Sequence, residues 1–154
     1  MATALLILHG LVAMALLGAI THQAVAIWVP LPTRPESFIG RLRAVSSDSF
    51  TNAVVVLYVL SAILGGIVYL YFRVEIKPVL EQSEHWQTIS LFDIKEHFIA
   101  IGMALLPAYW VSWQEILDRE YSSSRVALTM MLTFIVWYGF LIGHIANNVR
   151  GFGL

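Results

Sequence analysis

Four stretches of this chain carry no Asp, Glu, Lys or Arg: positions 1–33, 50–72, 97–114 and 126–149. A helix needs about 20 mostly apolar residues to cross the roughly 30 Å hydrocarbon layer of a bilayer. Inside that layer every backbone N–H and C=O must find its partner within the protein, which restricts single segments to helices. The first, second and fourth stretches clear the required length; the third is shorter, and its end at 110–114 suits a membrane interface. Spans are therefore predicted at about 4–28, 50–72, 95–114 and 126–147. Charged residues make up 12% of the chain, about half the roughly 25% of a soluble domain.

The expected fold is all-α: one transmembrane domain over 1–154, multi-pass and integral to a membrane. Short loops between consecutive spans imply antiparallel neighbours and an up-down four-helix bundle. Pro30, Pro32 and Pro35 should stop the first span, since proline cannot continue a helix. Ser46, Ser47, Asp48 and Ser49 offer N-cap oxygens for the second. Tyr69, Tyr71 and Phe72 form an aromatic belt at its end. The polar segment 78–93 is predicted to lie along the membrane surface or to pack under the bundle, and Pro107 to kink the third span. Ala24, Val25 and Ala26 resemble a signal-peptide cleavage site, but no Lys or Arg precedes the apolar run, so a retained helix is expected. Five basic residues on one side (Arg34, Arg41, Arg43, Arg119, Arg125) face four on the other (Arg73, Lys77, Lys95, Arg150), which sets no orientation.

Small residues recur four apart: Gly139 and Gly143, Ser61 and Gly65, Ala62 and Gly66. Such pairs let helices approach closely in lipid, and plain helix packing is their simplest role. Net charge is −1 and there is no cysteine. The first excludes a strongly basic nucleic-acid surface; the second excludes disulfides, thiolate nucleophiles, iron–sulfur clusters and covalently attached haem. No phosphate loop, HExxH or nucleophile elbow is present.

Chemistry is then carried by histidine, because a strongly polar group inside a span is expensive and becomes a functional candidate. Four of the five histidines fall within or at the edge of spans: His9, His22, His97 and His144. With antiparallel neighbours, His9 early in the first span, His97 at the start of the third and His144 late in the fourth share one membrane face. Two imidazoles at one depth on facing helices are the axial ligand set of a haem, and Gly10 and Gly143 would leave room for the macrocycle. His9 and His144 are the predicted iron ligands, with His97 as substitute or as partner of a haem propionate. His22 lies about 20 Å further along the first helix and is turned by roughly 140°. No second histidine lies on its side, so cofactor binding at His22 would need a ligand from another chain or a methionine such as Met130 or Met131, and one haem at most is expected.

The pattern resembles the small four-helix b-type cytochromes and the copper-resistance-protein-D-like membrane families. The residues that carry the resemblance are His9 in Leu6-Ile7-Leu8-His9-Gly10, His22 in Thr21-His22-Gln23, and His144 late in the last span. The resemblance implies non-covalent haem b and electron exchange with a quinone or a partner subunit. The function expected is a membrane subunit of an electron-transfer complex, passing electrons between a quinone and a partner redox subunit, with catalysis itself residing elsewhere. The alternative is a cofactor-free structural or assembly subunit of a larger membrane complex.

Overall fold

A computed structural model of the chain describes residues 2–28, 47–114 and 122–153. The described residues form no strand. They fold into α1 (Ala2–Trp28), α2 (Ser47–Tyr71), a π-helical turn (Phe72–Ile76), short α3 (Lys77–Gln82), α4 (Trp86–Gln114) and α5 (Ser122–Gly153). The architecture is all-α, as expected. The segments at 29–46 and 115–121, with the expected proline stop, the Ser46 cap and most of the third loop, lie outside the described residues.

Two boundaries differ from the sequence expectation. α2 passes into a π turn in which the Lys77 N–H reaches back to the Phe72 carbonyl, the five-residue step of a π-helix. Pro78 follows. Having no N–H, it would leave the Val74 carbonyl without an α-helical donor. α4 begins at Trp86 rather than near 95, so much of the segment expected on the surface or under the bundle is the first part of a long helix. The reason is an apolar seam: Ile89 and Phe92 are buried, in line with Ile99, Gly102, Leu106, Tyr109 and Trp113 at alternating steps of three and four residues. α4 also runs through Pro107 as one helix. Between α3 and α4 the chain reverses at Glu84, whose φ of 60° lies in the left-handed region, and Lys77 bridges to Asp93 at 3.3 Å.

The four long helices pack in a ring: α1 against α2 and α5, α4 against α2 and α5. Neighbours run antiparallel. Gln23 of α1 meets Thr51 of α2, whereas His9 lies against Gly65. Likewise Trp113 of α4 meets Thr129 of α5, whereas Leu91 meets Tyr138. The larger core, at one end, is built from residues such as Ile20, Val54, Tyr58, Leu106, Tyr109, Leu132 and Val136. A smaller core at the other end contains Phe72, Leu80, Ile89, Phe92 and Ala146.

Three helical segments are long and apolar enough to cross a membrane: Thr3–Trp28, Phe50–Gln82 and Ser122–Val149. α4 is not among them. Asp93, Lys95, Glu96 and His97, followed by Pro107, Tyr109, Trp110, Ser112 and Gln114, dilute its hydropathy. Outward-facing residues of the other helices, including Ile7, Leu11, Met14, Val56, Ile63 and Phe134, are large, apolar and exposed, the surface that lipid would cover.

Polar groups buried in the larger core are paired. Gln23 is fully buried; its Nε2 donates to Thr51 Oγ1 at 2.9 Å, and the Tyr109 hydroxyl donates to its Oε1. Three helices are thereby tied together through one side chain. Gln23→Leu removes both bonds and leaves two buried hydroxyls to find other partners. Thermal unfolding in detergent should show a loss of about 1–2 kcal/mol, the upper range for interhelical hydrogen bonds in membranes.

Candidate functional site

Between the two cores the packing opens. A half-open cavity of about 230 Å³ is lined by α1, α2, α4 and α5, with Leu16, Tyr58 and Val136 of the larger core on one side and Phe92 of the smaller on the other. The small residues paired four apart in the sequence all line it: Ser61, Ala62, Gly65, Gly66, Gly139 and Gly143. Two of them serve helix contacts as well. A Cβ at Gly65 would stand 3.2 Å from His9 Cε1, and one at Gly139 would stand 3.1 Å from Ile99 Cδ1. At Gly10, Gly66 and Gly143 an added Cβ meets nothing within 4 Å. These three leave open space rather than close packing.

Toward the helix ends a second cavity of about 370 Å³ adjoins the first. The two share Leu6, Val68, Phe92, Gly143 and Asn147, so together they form an inner and an outer chamber. Lining of the outer chamber includes Tyr71, Phe72 and Ile76 from the π turn and its approach, and the Phe72 ring stacks on Phe92 with centroids 4.0 Å apart. π turns recur at functional sites, and this one shapes a chamber wall.

His9 and His144 both line the inner chamber. His9 is half-buried, and its Nδ1 is buried without a hydrogen-bond partner. A buried imidazole nitrogen with no partner costs free energy unless something else satisfies it. His144 is exposed, its ring parallel to that of Phe140 at 6.5 Å. His97 is not brought to the chamber. It is exposed, with Nδ1 2.7 Å from the Asp93 carbonyl oxygen of its own helix. His22 sits at the far end of α1, its ring stacked on Phe50 with centroids 4.1 Å apart.

Two residues that the sequence argument passed over do line the chamber. Lys95 is only 8% exposed, and its Nζ lies 3.0 Å from Glu96 Oε1 and 4.3 Å from the centre of the Phe92 ring. The signal was present in the sequence, since Lys95 falls on the apolar seam of α4, three residues after Phe92 and four before Ile99. His97 is two residues past Lys95, turned about 200° around the helix, and so faces outward.

No group of three or more His, Cys, Asp or Glu side chains suited to a metal ion occurs among the described residues. A haem asks for less: two imidazoles and a broad slot. The inner chamber offers two imidazoles, one half-buried with an unpartnered nitrogen and one exposed, between glycine-lined walls. A porphyrin needs more room than 230 Å³, and the outer chamber supplies its continuation. Compared with protein-family models, curated proteins and solved structures, the chain matches none.

Proposed function

We propose that this chain is a multi-pass membrane subunit of an electron-transfer complex that holds one haem b in the inner chamber, ligated by His9 and His144. Electrons would pass between a membrane quinone and a partner redox subunit. The observation that carries the proposal is that these two imidazoles, from α1 and α5, line one glycine-walled cavity, His144 exposed and His9 half-buried with a buried nitrogen that has no partner. Haem supplies one-electron chemistry when bound. The chain supplies the ligands, the slot and an apolar shell, which are the levers that set a haem potential. α4 crosses with the other three helices in this reading, its inward charges shielded by the bundle. The described residues lie almost wholly in helices of the bundle, and partner membrane subunits are part of the proposal.

A reduced-minus-oxidised spectrum of the full chain purified with its complex tests this. b-type bands are expected, and they should fall by more than about nine-tenths in His9→Ala and in His144→Ala. His97→Ala and His22→Ala should leave them in place. Bands that survive both of the first two substitutions, or no bands from this subunit, would leave a cofactor-free structural subunit.

A further inference from the structure

We propose that Lys95 binds the carboxylate of an amphiphile held in the inner chamber, and that Glu96 occupies the ammonium until that carboxylate arrives. The ligand chemistry is a carboxylate on an apolar body, supplied either by a haem propionate or by a fatty acid. The haem arm rests on the function proposed above; the fatty-acid arm does not.

An ammonium facing the inside of an apolar bundle is costly unless paired, and it marks a ligand or ion site by default. Lys95 and Glu96 are the formally charged residues of the inner-chamber lining, one of each sign. Their pairing is awkward. Side chains at consecutive helix positions leave the axis about 100° apart and do not face each other. The 3.0 Å contact between Lys95 and Glu96 therefore requires both chains to bend together at the chamber wall. The Lys95 side chain is 10% exposed and that of Glu96 29%, so the carboxylate has an outward route and the ammonium does not. When Glu96 turns out, an incoming carboxylate takes its place and the chamber keeps its charge balance. An ammonium has three N–H donors. Here one meets Glu96, and the Phe92 ring covers part of the rest. His97, expected at sequence level to serve a propionate, is directed to its own backbone instead.

The test compares carboxylates with their esters on the full chain in nanodiscs of zwitterionic lipid. Mesohaem is titrated against its dimethyl ester by absorbance, and laurate against methyl laurate by calorimetry. Each result is read as the ratio of the two affinities, so that partition into lipid cancels between variants. The wild type is expected to favour the free acid by about tenfold or more, the worth of a hydrogen bond to a charged group. Lys95→Met should abolish that preference. Lys95→Arg should retain most of it and serves as the control for folding. Glu96→Gln should strengthen acid binding severalfold by removing the competitor. If neither porphyrin binds while laurate shows the Lys95-dependent preference, the haem reading falls and the carboxylate site stands. Equal binding of acid and ester by the wild type, a preference that survives Lys95→Met, or no binding of any carboxylate overturns the proposal.

Discussion

Gly102→Ala is expected to destabilise the bundle by about 2–4 kcal/mol although it adds a single methyl group. The new Cβ would collide with the Tyr58 hydroxyl, stand 2.8 Å from Tyr58 Cζ and 3.3 Å from Ile135 Cγ2. Tyr58 has little freedom to yield. It is 1% exposed, and its hydroxyl donates to the Ile99 carbonyl at 3.0 Å. α2 and α4 would have to part, or that hydrogen bond would be lost along with the packing around it. Thermal unfolding followed by circular dichroism in detergent reads the effect. Adding Tyr58→Phe to Gly102→Ala should restore part of the loss, since the colliding oxygen is gone. A single variant that melts within about 0.5 kcal/mol of the wild type would mean that α2 and α4 pack less closely here than described.

Filling the inner chamber should have the opposite character, with little effect on folding and a large one on binding. Gly143 lines both chambers, and a Cβ there meets nothing within 4 Å. In Gly143→Phe the ring is expected to occupy space that the proposed cofactor requires, weakening haem binding by more than about tenfold while helix content and the melting temperature of the unloaded chain stay near wild type. Gly143→Ala, by contrast, should bind normally. An undiminished b-type spectrum in the phenylalanine variant would move the cofactor out of this chamber, whatever the histidine variants show.

Much of the fold could be read from the charge-free runs. They locate α1, α2 and α5 because lipid-scale apolar segments leave the backbone few alternatives. α4 was only half legible: charge counting broke it at Asp93, Lys95 and Glu96, whereas its seam from Ile89 to Trp113 continues through them. Depth alone grouped His9, His97 and His144. Position around the helix axis then separates them, putting His9 and His144 on the chamber wall and His97 outside it. The chamber itself was hidden, because four-residue spacing of small side chains serves tight helix contact and empty space equally well. The pattern cannot say which until the neighbouring helices are in place. Gly65 and Gly66 show both outcomes side by side, one against an imidazole and the other against nothing.

The ring order of the helices gives any guest of the inner chamber a structural role. In that order each helix leans chiefly on two neighbours, and beside the hollow the opposite pairs, α1 with α4 and α2 with α5, are set apart, with Tyr109 of α4 reaching Gln23 of α1 only beyond it. A molecule seated there would touch all four at once and act as a keystone. At a concentration one hundred times its dissociation constant it would add about 2.7 kcal/mol to the folded state. On the proposed function, the empty chain would be the fragile form, most exposed to unfolding and proteolysis before its guest is bound.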